Sequence, residues 1–179
     1  MSIKKALAKI DGQKTILVQC ETKSLQNAVI DTVEYAVKVR KWVCIYVCLN
    51  KPYSKLEQDL KKKKLDPKKI FCIDCMSELI KEKEDRETVL YIKSPADLTK
   101  IDLSIKQLSQ FVGSDGCIII DSLQTLLIYN DPFVVARFVH SVLSETNEFG
   151  MRAILFASKE TNKEIVDQIS PFFDNFIEC

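Results

Sequence analysis

The sequence predicts a three-layer α/β fold with a mainly parallel central sheet and helices on both faces. Short apolar segments of strand length alternate along the chain with amphipathic segments of helical periodicity. The segments 42–49 and 116–121 are almost continuously apolar, which is typical of strands that are buried on both faces. Strands separated by helices pair in parallel through right-handed crossovers.

The first half of the chain contains three predicted strands, at residues 15–19, 42–49 and 70–73. The intervening helices are predicted at residues 24–40 and 53–64. Pro67 ends the second of these helices, because the residue before a proline disfavours helical geometry. The charged segment 76–87 is interpreted as a short helix and a loop.

The second half continues the alternation, with strands predicted at residues 88–92, 116–121, 152–157 and 173–178. One helix is predicted to begin with Ser94 as its cap and Pro95 near its first position. Its apolar face is marked by Leu98, Ile101, Ile105, Leu108 and Phe111. Further helices are predicted at residues 133–146, with Val134, Phe138 and Val142 facing inward, and at residues 160–169.

Composition predicts a single cytoplasmic domain over residues 1–179. The chain contains no linker-like, repeated or low-complexity segment, and its net charge of +1 gives no global field for nucleic acid or membrane binding. We find neither the long apolar stretch of a signal peptide nor an apolar run of the ~20 residues that cross a bilayer. Seven cysteines, an odd number placed mostly in apolar segments, predict buried reduced thiols rather than a disulfide framework.

The turn after the first predicted strand contains no glycine. In an α/β protein this turn is the usual place for a phosphate-binding loop, whose glycines let backbone N–H groups approach phosphate oxygens. Here the connection is short and bulky, and it carries the carboxylate of Glu21. The sequence therefore predicts a nucleotide-binding architecture that lacks its nucleotide site.

Two segments resemble RecA-type ATPases, and especially the archaeal KaiC-like branch of that superfamily. The strand at 116–121 ends in Asp121 and Ser122 and is followed by an apolar residue, which is similar to the second nucleotide motif of those ATPases. Residues 94–99 read Ser-Pro-Ala-Asp-Leu-Thr, which resembles a segment of KaiC-like proteins. The resemblance extends over nearly the whole chain as an order of elements, and it implies a RecA/KaiC-like fold.

The resemblance also shows where this chain departs from the family. The first family motif, Gly-x-x-x-x-Gly-Lys-Thr/Ser, is reduced here to Lys23 and Ser24. After the second strand, where the family places a water-activating acid, the chain has Asn50, Lys51 and a proline. These departures imply a pseudo-ATPase, for which we expect no catalytic residue, no cofactor and no metal.

The vestigial positions are therefore Lys23, Ser24, Asp121 and Ser122. In an active relative Asp121 would orient a metal-bound water, but here we expect it to accept hydrogen bonds from neighbouring turn amides. At the first helix, Ser24 and Lys23 are placed to contact an anion. The simpler interpretation is that Ser24 or Thr22 caps the helix and that Lys23 is solvated.

A run of lysines is the strongest charge feature: Lys61, Lys62, Lys63 and Lys64. It is a candidate contact for nucleic-acid phosphates. The alternative is a solvated helix end, where cations are favoured by the helix dipole.

Cys72 and Cys75 form a C-x-x-C pair with the spacing of redox and zinc sites. Cys72 falls inside a predicted strand, however, and Cys75 is predicted to be exposed at the strand end. No second pair completes a zinc site, and the only histidine, His140, is predicted on a helix face. We therefore expect a structural role for all three.

Residues 123–129 form a long apolar run for a predicted connecting segment, and the aromatic residues Phe172, Phe173 and Phe176 form a second apolar group. Core packing is the simplest explanation, and any exposed part would suit self-association or a partner. Our sequence-based hypothesis is a non-catalytic regulatory or signalling module that acts through protein contact, with a protein partner or as a homo-oligomer. The alternatives are an ATPase with an unconventional phosphate loop and a nucleic-acid-binding module.

Overall fold

Strands and helices alternate along the chain of the computed structural model, which describes residues 3–10, 12, 14–81 and 85–179. Within these residues the strands are β1 (Thr15–Cys20), β2 (Val43–Cys48), β3 (Ile70–Asp74), β4 (Val89–Tyr91), β5 (Gly116–Ile120), β6 (Arg152–Ser158) and β7 (Asn175–Glu178). The helices are α1 (Ile3–Lys9), α2 (Thr22–Glu34), α3 (Tyr53–Lys62), α4 (Leu98–Val112), α5 (Leu123–Tyr129), α6 (Pro132–Glu148) and α7 (Lys163–Ile169). A π-helix, Tyr35–Val39, directly follows α2.

The described strands form one sheet in the order β4-β3-β2-β5-β6-β1-β7, and every neighbouring pair is parallel. The predicted α/β class with a parallel sheet is therefore confirmed. β1 and β5 are separated by β6, so the chain crosses over two strands between β1 and β2. The carboxyl ends of all these strands lie along one edge of the sheet, where open α/β folds place their ligands.

Two hydrophobic cores cover the two faces of the sheet, as predicted. Apolar residues of α1, α2 and α3 pack on one face, and those of α4, α5, α6 and α7 pack on the other. Alternate residues of β2 supply both cores: Tyr46 belongs to the first, and Ile45 and Val47 belong to the second. This alternation explains why β2 has an almost continuously apolar sequence.

The largest differences from the sequence prediction concern short helices and helix ends. α1 was not expected, and residues 123–129 form helix α5 rather than an irregular connection. α4 begins at Leu98 with Asp97 as its cap, so Ser94 and Pro95 lie in the preceding turn. Asp97 caps the helix in place of Ser94 because its carboxylate accepts a hydrogen bond from the Lys100 amide.

Smaller differences affect faces and loops. Phe111 on α4 and Val134 on α6 are exposed, with 76% and 45% of their surface accessible, whereas both were predicted on inward faces. α7 begins at Lys163 rather than at residue 160, because Asn162 caps it. Residues 76–81 form turns rather than a helix, and residues 82–84 of the same predicted segment lie outside the described residues.

One cysteine prediction is wrong. Cys20 and Cys179 form a disulfide, with their Cα atoms 4.7 Å apart and 159 positions apart in sequence. They meet because β1 and β7 are adjacent parallel strands whose carboxyl ends coincide. The five remaining cysteines are free and buried, as predicted for all of them except Cys75.

Candidate functional site

The connection between β1 and α2 consists of one residue, Glu21. Its carbonyl accepts hydrogen bonds from the Ser24 and Leu25 amides at 2.9 and 3.0 Å, so the chain turns directly from strand into helix. A phosphate-binding loop of the Gly-x-x-x-x-Gly-Lys-Ser/Thr type needs about eight residues here. The turn therefore has no room for such a loop.

Neighbouring groups of the chain contact this turn. The backbone N–H of Lys159 donates to the Cys20 carbonyl at 2.8 Å, and its ammonium lies 3.5 Å from the Glu21 carboxylate. The disulfide from Cys20 to Cys179 adds the end of β7 to the same corner. These contacts join the carboxyl end of β1 to its neighbours, beside a cavity of about 560 Å³ that Gln19, Lys159 and Glu178 line.

The neighbouring end of β6 is also engaged. The Ser158 hydroxyl donates to the Gln124 side-chain oxygen at 3.0 Å, which links β6 to α5. The side-chain amide of Gln19 donates to the Ser158 carbonyl at 3.2 Å. These contacts join β1, β6 and α5 at the carboxyl edge of the sheet.

Lys23 and Ser24 lie in the first turn of α2. Lys23 is exposed, as the solvated interpretation predicts. Ser24 does not cap the helix, and neither does Thr22: the N-cap residue is Glu21, without a side-chain cap, and the Ser24 hydroxyl donates to the Glu21 carbonyl at 3.0 Å. The capping prediction was wrong because the turn is shorter than the sequence suggested.

Asp121 follows β5 and is 2% exposed. Its carboxylate accepts hydrogen bonds from the Leu49 amide at 2.9 Å and from the Tyr46 hydroxyl at 3.0 Å. Burial raises the pKa of Asp121 to about 7, although the hydrogen bonds from Leu49, Tyr46 and Asn50 oppose that shift. The backbone contacts agree with the structural role expected for Asp121.

Ser122 caps α5. Its hydroxyl accepts hydrogen bonds from the Thr125 amide at 3.1 Å and from the Thr125 hydroxyl at 2.8 Å. β6 separates the strand that carries Asp121 and Ser122 from the strand that precedes Lys23 and Ser24. The four positions that the sequence singled out therefore form two groups, on either side of β6.

A second buried carboxylate, Asp74 at the end of β3, was missed by sequence reasoning. It accepts hydrogen bonds from the amides of Tyr53, Met76 and Ser77 at 2.7 to 2.9 Å and from the Ser77 hydroxyl at 2.6 Å. The sequence signal was the same as for Asp121: an aspartate directly after an apolar strand. Asp74 fixes the loop after β3 to the start of α3.

The lysine run is largely paired with acids of the same chain. Lys61 lies 3.2 Å from Glu57, and Lys62 lies 3.2 Å from Asp59. Lys63 contacts both Asp31 and Glu34 on α2, at 2.8 and 3.2 Å, while Lys64 is exposed after the helix. These pairs reduce the positive field that phosphate binding needs, so the geometry gives no added support to a nucleic-acid interface.

The structure buries the C-x-x-C pair and leaves His140 at the surface. Cys72 and Cys75 are both fully buried, so the expectation of an exposed Cys75 was wrong. Burial raises the pKa of the Cys75 thiol well above its usual value, which keeps the thiol protonated. His140 is exposed on α6, and its ring meets Phe172 edge-on with centroids 5.1 Å apart. Over the described residues, no group of three or more His, Cys, Asp or Glu is placed to hold a metal ion.

The apolar run after β5 divides between core and surface. Leu123 and Leu126 lie on the inner face of α5 and are buried. An α5–α6 surface remains exposed, formed by Ile128, Tyr129, Phe133 and Val134, with 72%, 41%, 62% and 45% of their areas accessible. Next to it, a groove of about 470 Å³ runs between α6 and α7, and Phe133 and Phe172 line it.

The sheet order and the helices on both faces define a three-layer α/β domain with a parallel sheet. The chain is similar in structure to a KaiC-like protein from the hyperthermophilic archaeon Pyrococcus horikoshii OT3, with a TM-score of 0.64 and 12% identity over 92% of this chain and 70% of that one. It is also similar to an uncharacterized Pyrococcus horikoshii protein solved in complex with an unknown peptide, with a TM-score of 0.72 and 11% identity over 98% and 81% of the two chains. At these identities the likeness shows the fold alone.

This chain belongs to DUF7504, a family of unknown function, which matches residues 90–179. The matched part extends from β4 through β7, so it includes Asp121 and Ser122 but not the β1–α2 turn. No curated protein matches the chain significantly. None of the helices in the described ranges is both long and apolar enough to span a bilayer.

Proposed function

We propose that this chain is a non-catalytic RecA/KaiC-like module that acts in the cytoplasm by binding another protein. The observation that carries the proposal is the one-residue turn at Glu21, which leaves no loop of backbone amides for a triphosphate. A phosphate cradle supplies several charge-assisted hydrogen bonds of about 1.5–3 kcal/mol each, and without it most nucleotide affinity is lost.

The state of Asp121 supports the same proposal. An aspartate that orients a metal-bound water must present a charged oxygen to the site. Here one carboxylate oxygen accepts from Leu49 and the other from Tyr46, and burial favours the protonated form. Asp121 is therefore better suited to joining β5 to β2 than to holding a cation.

The α5–α6 surface supplies the contact area for a partner. Ile128, Tyr129, Phe133 and Val134 are exposed on two consecutive helices. Beside them lies a groove that Phe133 and Phe172 line together with polar side chains. Contiguous exposed apolar side chains mark protein interaction sites, and aromatic anchors dominate binding energy at interfaces. The peptide bound to the similar Pyrococcus horikoshii protein supports a peptide segment of a partner protein as the occupant.

The nucleotide part of the proposal is tested by titrating the whole chain with Mg-ATP in a calorimeter. We expect no saturable heat up to millimolar nucleotide. Saturable binding that requires Mg²⁺ would instead support an ATPase with an unconventional phosphate loop.

The partner part is tested by substituting the α5–α6 surface. In a pull-down from cells that express the tagged chain, we expect Phe133→Ser and Ile128→Ser to lose partners that the unsubstituted chain retains. Phe111→Ser and Leu103→Ser are matched controls, because both residues are exposed on α4, at 76% and 60%. If the variants and the controls retain the same proteins, the α5–α6 surface is not the interface. If sedimentation shows a dimer that dissociates only in Phe133→Ser, the partner is a second copy of the chain rather than another protein.

A further inference from the structure

A cavity of about 360 Å³ lies at the amino-terminal edge of the sheet, opposite to the edge that carries Asp121. We call it the amino-edge cavity. Apolar side chains from the end of α1, Leu7 and Ile10, form one part of its wall, and Tyr35 from the π-helix forms another. Trp42 lies just before β2, and Arg152 is the first residue of β6.

Cationic groups line the same cavity. The Arg152 guanidinium carbon lies 4.6 Å from the centroid of the Trp42 ring, and that of Arg40 lies 5.0 Å from it. Lys14 adds a third basic side chain at the start of β1. Among the described residues that line the cavity none is acidic, so its wall combines positive charge with apolar and aromatic surface.

Arg152 is the best-placed anchor for an anion. One of its nitrogens, Nη1, donates to the Ser114 carbonyl at 3.0 Å, and this bond together with the Trp42 ring fixes the plane of the guanidinium. A guanidinium carries several N–H donors in a planar fork, so a further pair remains for a carboxylate or phosphate. Arg40 also engages other groups of the chain, so the proposal depends on Arg152.

An unusual backbone segment builds this wall. The π-helix Tyr35–Val39 ends in Arg40, whose amide donates to the Tyr35 carbonyl at 3.1 Å. Lys41 then adopts a positive φ of 63°, and the Trp42 amide donates a hydrogen bond to the Ala36 carbonyl at 3.0 Å. This path brings Tyr35, Arg40 and Trp42 to one cavity. π-Helical turns are frequent at functional sites.

We propose that the amino-edge cavity binds a small organic anion. Its carboxylate or phosphate pairs with Arg152, and its apolar body packs against Leu7, Ile10 and Trp42. The cavity volume falls within the range of about 300–1,000 Å³ that is usual for small-molecule sites, which combine apolar walls with a few polar anchors. This site is separate from the α5–α6 surface, so the test of anion binding does not depend on the proposed partner.

Trp42 provides the measurement, because it is the only tryptophan in the sequence. The whole chain is titrated with 4-phenylbutyrate, octanoate and phenyl phosphate while Trp42 emission is followed. We expect a saturable change with at least one of these anions, and at least about tenfold weaker binding of 4-phenylbutanol, which lacks the charge. A carboxylate preference and a phosphate preference are distinguished by which probes bind.

Variants locate the site. Arg152→Gln is expected to weaken binding at least about tenfold, whereas Arg137→Gln, the same change on the exposed face of α6, leaves it unchanged. Because Arg152 also bonds to Ser114, Ile10→Phe serves as a second variant that fills the cavity and keeps its charge. Circular dichroism establishes that each variant folds.

Three results would overturn the proposal. The first is the absence of a saturable change with every probe. The second is binding of the neutral alcohol as tightly as the acid, or of acetate and inorganic phosphate as tightly as the organic anions. The third is unchanged affinity in both Arg152→Gln and Ile10→Phe.

Discussion

The hydroxyl of Tyr46 donates a hydrogen bond to the carboxylate of Asp121 across neighbouring strands, with an oxygen-to-oxygen distance of 3.0 Å. Both side chains are almost completely buried. Tyr46 lies in the middle of β2, and Asp121 follows β5, so the bond fastens the end of one central strand to its neighbour. Asp121 therefore links two central strands of the sheet.

Asp121→Asn is expected to remove a pH dependence of stability. The pKa of Asp121 is raised from 3.8 to about 7 in the folded protein, because burial disfavours the charge. Its contribution is therefore fully present below pH 3.8 and is lost as the pH rises towards 7, by on the order of 2–4 kcal/mol. Asparagine keeps the shape without titrating, so urea unfolding at pH 5 and pH 8 should show a smaller fall than in the unsubstituted chain.

Asp167→Asn is the control for this experiment, since Asp167 is exposed on α7. Its pH profile should match that of the unsubstituted chain. If Asp121→Asn shows the same profile too, Asp121 is ionised in the folded protein without penalty.

Glu145→Gln is expected to stabilise the protein at pH 8. Glu145 on α6 is buried, and its Oε2 has no hydrogen-bond partner among the described residues. Burial, and then repulsion from Asp102, raise the pKa of Glu145 from 4.5 to about 7. Ionisation above that pH therefore costs folding energy, and a neutral amide should recover on the order of 1 kcal/mol.

The gain should disappear at pH 4, where Glu145 is protonated in both folded and unfolded chains. Glu160→Gln, an exposed change in the turn after β6, should have no such effect. A loss of stability in Glu145→Gln at pH 8 would mean that the carboxylate has a favourable partner.

Glu34→Gln is expected to weaken the packing of α1 and α3 against α2. Glu34 forms ion pairs with Lys4, Lys38 and Lys63, and the hydrogen bond from Lys4 is the largest cause that lowers its pKa from 4.5 to about 2. Its contribution is present above pH 4.5 and is lost as the pH falls towards 2, opposite in sign to that of Asp121. We expect a loss of about 1 kcal/mol at pH 7 in thermal or urea unfolding.

Salt provides the test of mechanism for this cluster. At 1 M NaCl the difference between Glu34→Gln and the unsubstituted chain should shrink, because partly exposed charges are screened. Asp59→Asn gives a comparison, since Asp59 pairs with Lys62 within α3. An effect of Glu34→Gln that is independent of salt would point to packing rather than charge.

Gly116→Ala is expected to destabilise the start of β5 by about 1–3 kcal/mol. An added Cβ would lie 2.2 Å from the Met151 methyl carbon, 2.9 Å from the Val112 side chain and 3.0 Å from the Gly113 carbonyl oxygen. Combining the change with Met151→Ala should relieve part of the clash, but the backbone contact remains. Urea unfolding of the two variants, with Met151→Ala alone as the reference, measures the coupling.

Strands were easier to predict than sites, for a physical reason. β2 and β5 are buried on both faces, so their consecutive residues are almost all apolar and the strands can be recognised in the sequence. α5 is only seven residues long, which is too short for helical periodicity to separate it from an apolar loop. The end of β5 was likewise visible in the sequence because Asp121 and Ser122 follow an apolar run directly.

The amino-edge cavity had no comparable signal. Trp42 and Arg152 are 110 positions apart in the sequence, and they meet only because of the order in which the strands assemble. The π-helix that places Tyr35 beside them has no sequence signature that distinguishes it from the end of α2. Tertiary contacts of this kind arise from topology, which local periodicity does not encode.

The single residue between β1 and α2 also limits how this lineage can evolve. Point mutations exchange side chains, but they add no peptide units to the backbone. A glycine-rich cradle around a triphosphate would require an in-frame insertion of several codons after Cys20, in a corner where Lys159 and Cys179 already contact the strand. Descendants that differ from this chain by substitutions alone will keep that corner closed to such a loop.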